Sequence, residues 1–535
     1  MTSPIREHVP VPAPRRSVAL TADQSRHYDV IVIGSGFGGA GVAHALVSAG
    51  RSVLMLERGD WVPRGPDNWL PGSAGMLTPH YSHDSPILAE TDRGTSRHGS
   101  YFLVGGPSVF YGGVSLRFRE ADFAPSAELT GDSLASWPLG YDDLEPWYGK
   151  AEALIGVAGE TGVDPTEPRR SSPFPHAPGR LATISERLAG AARSLGLHPF
   201  RLPLAINHAA PGRSPCIACT TCDGFACANS AKNDLATMVL PPLIAGGLEL
   251  QAGVVVTRLE TTGNRITAVE GIHRASGVRV KWRARQVVLS AGALASPQLL
   301  LASGLDRLNP AGHAVGRYLQ RHLNGIVFGL FPSPPDPVGE FHKQIGIHDY
   351  YFGEGGAGSP STKVGSLQQL VTPPIGLVRA NVPRAVGTIA GPLVGRLTGF
   401  LIMAEDQPQA RNVVTVDAGQ PDRYGLPAVR VSHRYSARDR ASGVVLRRAG
   451  RRILRRAGAW FFYYHPIDTF SHAAGTVRMG LDPTTAPLDP DCRFRGVDNL
   501  SVVDASFMPT TGAVNPSLTI LANALRVGQS LVAAT

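Results

Sequence analysis

YDVIVIGSGFGGAGVAHALVSAGRSVLMLERG, residues 28–59, is the stretch on which the reading of the fold turns. Val30 to Ile33 is a short apolar run that suits a strand buried on both faces, and Gly34, Gly36 and Gly39 follow it directly. The turn is therefore GxGxxG at the point where a strand hands over to a helix. Gly34 allows the tight turn, Gly36, with Phe37 and Gly38 beside it, lets a pyrophosphate approach the backbone, and Gly39 lets helix and strand pack closely. An anion placed there meets free N–H groups and the positive end of the helix dipole. The helix continues through Leu46 and stops at Gly50. Val53 to Leu56 form a second strand, and Glu57 closes it eighteen residues after Gly39. A carboxylate at that place accepts hydrogen bonds from ribose hydroxyls and repels a 2′-phosphate, so the unit predicts the ADP part of a dinucleotide.

Working outward, 535 residues with 43% hydrophobic content hold two or more domains and a sizeable core. The net charge of +9 raises anionic partners. The arginines are scattered, however, and the densest cluster, residues 447–456, reads as the polar face of a helix, which favours a solvated basic surface over nucleic-acid binding. No run approaches the ~18–20 apolar residues that cross a bilayer, so no membrane association is expected. The first 27 residues are rich in Pro and Arg and read as a flexible tail. Arg15-Arg16 lacks the hydrophobic region of an export signal, so the expectation is cytoplasmic residence.

Residues 60–100 alternate Pro, Gly, Asp and His and read as a long surface excursion. Residues 101–120, YFLVGGPSVFYGGVSLRFRE, hold Gly105-Gly106 and Gly112-Gly113 around Phe110-Tyr111: either an ordinary turn, or main chain lying against a flat ligand. A helix is expected within 137–155 on the exterior, a Pro-rich linker over 158–180, and an amphipathic helix over 181–196. Residues 216–234, CIACTTCDGFACANSAKND, carry four of the five cysteines as CxxCxxCxxxxC. That spacing is close to, but not the same as, an iron–sulfur run, which leaves structural thiols or a disulfide, a metal cluster, and redox switching all open. A strand over 247–262, a hairpin over 266–283, and a second strand-to-helix passage over 286–305 follow. Among the Gly, Pro and aromatic residues of 331–401, His342 and Gln344, with His348, Tyr350, Tyr351 and Phe352, suit a polyol-binding wall. Residues 373–396 suit a lid or an oligomer contact. An alternating strand at 428–435 and a basic helix over 436–458 precede the last segment.

The chain ends in SHAAGTVRMG from Ser471 and NLSVVDASFMPTTGAVNPSLTILANALRVGQSL from Asn499. Leu500 to Val503 reads as a buried strand ending in Asp504. Asn515 reads as the N-cap, and Pro516 as the first position, of a helix carrying Leu518, Leu521, Leu525 and Leu531. Asn515 then either satisfies the first turn alone or aims that helix start at a flavin ring; His472 is either a buried structural imidazole or a catalytic base.

Four separated signatures now stand in order: the dinucleotide turn, GGPS at residues 105–108, GALASPQLLLASGL at residues 292–305, and the HAAGT…VVDAS…NPS end. With GRYLQRH at residues 316–322, they make the chain resemble the glucose-methanol-choline (GMC) flavoprotein oxidoreductases over residues 28–532. The resemblance implies an α/β fold: a discontinuous Rossmann-like FAD domain (28–160, 236–325, 466–535) and a substrate domain on an antiparallel sheet (161–235, 326–465). It implies FAD with Glu57 at the adenosine ribose, Val255 at the adenine, Ser108, Gly112 and Gly113 near the flavin, and Arg58, Gly105, Gly106 and Tyr111 among the cofactor-binding residues. Asp504 and Ala505 fall at the pyrophosphate-ribityl region, with Ala291, Pro516 and Thr519 also contacting cofactor.

His472 matches the family's catalytic histidine and Asn515 its His-or-Asn partner, a pattern similar to pyranose oxidases and relatives acting on sugar rings or glycosides. Phe110 stands where members with covalent flavin carry histidine, so non-covalent FAD is expected. The resulting expectation is oxidation of a secondary alcohol of a sugar or glycoside to the ketone. His472 is the base, hydride goes to flavin N5, Phe470, His342 and Gln344 are substrate residues, and oxygen or a quinone is the acceptor. The alternative is an alcohol or sterol dehydrogenase passing electrons through a Cys-ligated cluster.

Overall fold

The computed structural model describes residues 26–65, 81–209, 211–219, 221–340, 343–353, 363–370, 372, 391 and 393–535. Three sheets organise them. In the first, the strands Glu249–Ala252, Val53–Glu57, His27–Ile33, Arg279–Leu289 and Leu500–Val502 lie side by side and parallel, with Val30 opposite Val53, Ile33 opposite Leu289, and Leu500 opposite Val287. Valine, isoleucine and leucine dominate these strands because both faces are covered, and Val30, Ile31, Val32, Leu54 and Val288 are fully buried. Arg279–Leu289 is long enough to serve two partners: its first residues pair antiparallel with Arg265–His273, which pairs in turn with Val254–Thr262. The single strand expected over 247–262 is two, broken at Gly253, whose φ of 73° only glycine adopts without strain.

The helix Phe37–Ser48 crosses the C-terminal helix Ser517–Ala534 at close range. A methyl at Gly41 would lie 2.8 Å from Ala524 Cβ, and one at Gly528 2.8 Å from Ala45 Cβ. The helix Tyr141–Leu154, expected on the exterior, instead packs against Ser517–Ala534 and buries Leu144, Tyr148 and Ala151. Its polar residues misled the pattern. Glu145 and Glu152 point inward, where the buried Arg117 guanidinium binds both, at 3.0 and 2.8 Å.

The second sheet is antiparallel, in the order Phe461–Pro466, Leu323–Leu330, Leu397–Ala404, Ser366–Leu370, Ile345–Ile347, Phe200–Arg201. Leu446, Ile453 and Leu454 of the helix Ala437–Arg456, and Ile184 and Leu188 of Thr183–Arg193, pack with its Val327, Leu367, Phe400 and Ile402. Ser436 accepts from Asp439 N–H and caps the longer helix. The strand Leu323–Leu330 runs across the expected boundary at 325.

The third sheet, Val413–Pro421, Pro427–Ser432, Tyr81–Thr91 and Gly94–Tyr101, corrects the reading of residues 60–100 as loop throughout. Its central pairing sets Val431 beside Ala89 in parallel, a contact between distant parts of the chain that no local pattern announces. Residues 373–390, most of the segment read as a lid or oligomer contact, and His342 lie outside the described residues. No described helix is long and apolar enough to cross a membrane.

Candidate active site

The glycine turn is built as its sequence requires. Gly34 has a φ of 99°, and a methyl there would lie 2.2 Å from Ser290 O; a methyl at Gly39 would lie 2.0 Å from Gly34 O, so helix and strand touch through this pair. Gly38 is equally closed, 2.4 Å from Val503 O, whereas a methyl at Gly36 meets nothing within 4 Å. The open face at Gly36, at the N-terminus of Phe37–Ser48, has Gly106 of the second glycine loop beside it, and two residues on, at Gly38, lies the buried Ser290 hydroxyl without a partner. Open backbone, a helix N-terminus and an unpartnered donor together fit the pyrophosphate of FAD.

Glu57 is buried at the end of its strand, where Oε2 accepts from Ser35 N and Oγ at 3.0 and 2.6 Å and Oε1 accepts from Gly59 N at 2.8 Å. Burial raises its pKa above the ordinary carboxyl value, with those bonds opposing the shift. Oε1 keeps a lone pair for a ribose hydroxyl. Arg58 lies over the rings of Phe102, at 4.0 Å, and Tyr424. Val255 is buried in a cluster with Ile272, Tyr424 and Leu426, so an adenine beside it would meet main chain.

Gly105 N donates to Ser35 Oγ at 2.9 Å, which ties the two glycine loops together. Ser108 Oγ is committed within the protein, donating to Gly105 O and accepting from Leu235 N. Tyr111 hydroxyl donates to Asn233 O, and its ring lies 5.7 Å from Phe37. Gly113 has a φ of 77°, and a methyl at Gly112 would lie 3.0 Å from Lys343 Nζ. Asp504 is a clasp rather than a free carboxylate: it accepts from Gly292 N, Ser296 Oγ, Ser506 N and Ser506 Oγ. It fixes the 290–296 turn, where Ala291 N also bonds Ser296 Oγ, against the segment holding Ala505. Thr519 Oγ1 bonds Tyr148 hydroxyl at 2.8 Å, away from solvent.

His472 is linked through His322 to the turn at residues 512–515, which also carries Asn515. His472 Nδ1 lies 3.1 Å from His322 Nδ1, and His322 Nε2 lies 2.8 Å from Gly512 O. Burial, with the nearby His322 and Lys343, lowers the His472 pKa to about 3, so the ring is neutral at ordinary pH. Three residues after Gly512, Asn515 Oδ1 accepts from Gln368 Nε2 at 2.7 Å. The helix begins one residue later than expected: Pro516 is its N-cap and no side chain caps it. Asn515 is therefore not the capping residue, because Gln368 of the second sheet holds its carboxamide instead.

Two substrate expectations change. Gln344 Oε1 accepts from Ala182 N and Ser185 Oγ at 2.7 and 2.9 Å, and its Nε2 donates to Arg180 O at 2.6 Å. It secures the start of Thr183–Arg193 instead of facing a substrate. His348 is fully buried on Asp164 and Arg119. Phe470 packs edge-on to His98 at 5.4 Å and under Arg321. In the cysteine segment all the thiols are free; burial raises Cys216 to about 11 and holds Cys222 well above the ordinary thiol value. Among the described residues no group of His, Cys, Asp or Glu side chains is arranged to hold a metal ion. The Lys232 ammonium organises the loop instead, donating to the carbonyls of Tyr111, Cys222 and Phe225.

Sequence reasoning passed over His322, Gln368 and Lys343. His322 stood inside the quoted GRYLQRH segment and was its available signal; Gln368 and Lys343 lie in the 331–401 region without a local motif, Gln368 placed by the pairing of Ser366–Leu370 and Lys343 by its ion pair with Asp223. The buried Lys343 forms an ion pair with the partly exposed Asp223 at 2.6 Å beside Gly112.

Residues 96–324 and residues 408–524 each match the family described as GMC oxidoreductase. Over 532 residues the chain is 32% identical to the paromamine 6'-oxidase of Streptomyces fradiae, covering 96% of this chain and 92% of that one. It is 31% identical over 539 residues to the 6'''-hydroxyparomomycin C oxidase of Streptomyces lividus, again covering 96% and 92%. The crystal structure of pyridoxine 4-oxidase from Mesorbium loti superposes with a TM-score of 0.68 at 23% identity, over 94% of this chain and 99% of that one, and so shares the fold. The chain thus belongs to the GMC oxidoreductase family and is an FAD-dependent enzyme that oxidises CH–OH groups.

Proposed function

We propose that the substrate is a sugar or glycoside, that a secondary hydroxyl of its ring is oxidised to the ketone, and that His472 and Asn515 carry the reaction on non-covalently held FAD. The substrate class is supported by the two relatives at over 30% identity, both of which are named as oxidases of aminoglycoside compounds. The observation that supports the mechanism is the link from His472 through His322 to Gly512, three residues before Asn515 on the same turn. FAD, when bound, supplies the hydride acceptor. His472, neutral and with no hydrogen bond to Nε2 among the described residues, takes the hydroxyl proton at that atom. Asn515, whose carbonyl is occupied by Gln368, has its amide hydrogens to hold the hydroxyl oxygen. Phe110, packed at 5.1 Å on Tyr101, offers no atom for a covalent flavin link. The acceptor is oxygen or a quinone.

Anaerobic mixing with monosaccharides, glycosides and sterols, followed by flavin bleaching, tests the substrate class, and bleaching by sterols alone would overturn it. Borodeuteride trapping of the product tests the carbon: deuterium on a ring carbon supports the ketone, and deuterium on an exocyclic carbon refutes it. His472→Ala is expected to retain FAD while bleaching slows by roughly 10²-fold or more.

A further inference from the structure

His322, whose ring meets His472, is held by contacts on its backbone and on both ring nitrogens. Its backbone has a φ of 59°, a left-handed conformation that is strained for a non-glycine residue and persists only where the surroundings impose it. They do so here. Its N–H donates to Asp406 Oδ1 at 2.9 Å, its carbonyl accepts from Tyr435 hydroxyl at 2.8 Å, and the side chain is fully enclosed. Asp406 is itself bonded by Arg321 N and His433 Nε2, so the anchor is buried and fixed.

The two ring nitrogens of His322 face partners of different kinds. Nε2 is 2.8 Å from Gly512 O, a carbonyl that can only accept, so the hydrogen is on Nε2. That carbonyl is held in place because the N–H of the same peptide plane, that of Ala513, donates to the buried Tyr351 hydroxyl at 3.0 Å. In the neutral ring Nδ1 is then a lone pair, and the atom opposite it, 3.1 Å away, is His472 Nδ1. Two lone pairs at that distance repel, so the bond exists only if His472 carries its hydrogen on Nδ1. The consequence is at the other end of the ring: His472 Nε2 is left bare.

We propose that His322 is a positioning residue that sets the tautomer of His472, holding its hydrogen on Nδ1 so that Nε2 is the lone pair available to a substrate hydroxyl. This rests on the reading of His472 as the base. The proton passes from the substrate O–H to Nε2, the His472 Nδ1–H bond to His322 stays in place throughout, and the electron pair of the C–H bond leaves as hydride to FAD. Without His322 the other tautomer, with Nε2–H, is free to form, and it cannot accept that proton. No wider proton relay is needed.

The tautomer can be measured without any substrate, so failure of the sugar assignment does not obscure it. In holoenzyme carrying 15N-labelled histidine, near neutral pH, the two-bond proton–nitrogen correlation of His472, assigned by its disappearance in His472→Gln, should show a protonated Nδ1 and an unprotonated Nε2. The opposite pattern overturns the proposal even if every His322 variant misfolds. Two variants give the kinetic arm. His322→Leu removes the acceptor and should lower the limiting rate of anaerobic flavin reduction by about 10²-fold, with FAD content and KM little changed. His322→Asn returns an oxygen near the position of Nδ1 and should stay within about 10-fold of the parent. A leucine variant as fast as the parent, or equal losses in both variants, refutes the assignment.

Discussion

His472 stays neutral down to acid pH because burial, the neighbouring His322 and Lys343 together hold its pKa at about 3 instead of the usual 6.5. Flavin reduction by substrate should therefore not fall with a midpoint near 6.5; it should hold from pH 8 to about 5, as measured by anaerobic stopped flow. The same shift has a stability consequence, whose sign follows from proton counting. Between about 3 and 6.5 the unfolded chain binds a proton on this ring that the folded chain does not, so stability declines as pH falls through that window and is unaffected above it. Urea midpoints taken from pH 7 to pH 4.5 should accordingly drop less in His472→Gln than in the parent.

Among elements, the helix Tyr141–Leu154 depends on one guanidinium. Arg117 binds Glu152 through two nitrogens, at 2.9 and 2.8 Å, and reaches Glu145 at 3.0 Å, all within the interior. Replacing it leaves two buried carboxylates short of charge. Arg170 and Ser171 still reach them, so Arg117→Met should cost about 3 kcal/mol, at the lower end for breaking a buried ion pair, read as a shift in the urea midpoint. The crossing of Phe37–Ser48 with Ser517–Ala534 is limited by volume instead of charge. Gly41→Val would force its side chain against Ala524 and Leu521 and should cost roughly 1–3 kcal/mol on the same measurement.

At the scale of the molecule, FAD is expected to be the tie between the parallel sheet and the carboxy-terminal segment, since the residues proposed to meet it come from both: Glu57 and the neighbouring Gly36 from one, and Asn515 from the other. Acid precipitation should release the flavin into the supernatant, because no covalent attachment is proposed. The stripped protein should melt at a lower temperature, and added FAD should restore the midpoint, by about 2.7 kcal/mol of stabilisation when its concentration is a hundredfold above Kd. Flavin remaining with the precipitated chain would show a covalent link and overturn that part of the proposal.

The sequence by itself determined the features that local chemistry dictates. Gly34, Gly36 and Gly39 between two apolar runs could form little else than a nucleotide turn, and the helices over 183–193, 437–456 and 517–534 followed from periodicity and stop signals. His472 and Asn515 were legible as candidates because their flanking motifs are local. Only the tertiary structure decided what pairing across the chain controls: the third sheet with Ala89 beside Val431, the withdrawal of Gln344 to a helix start, the release of Asn515 from capping by Gln368, and the contact of His322 with His472. Spacing along a chain reports which residues share a turn or a face, whereas the partner of a hydrogen bond depends on segments brought together from far away in sequence.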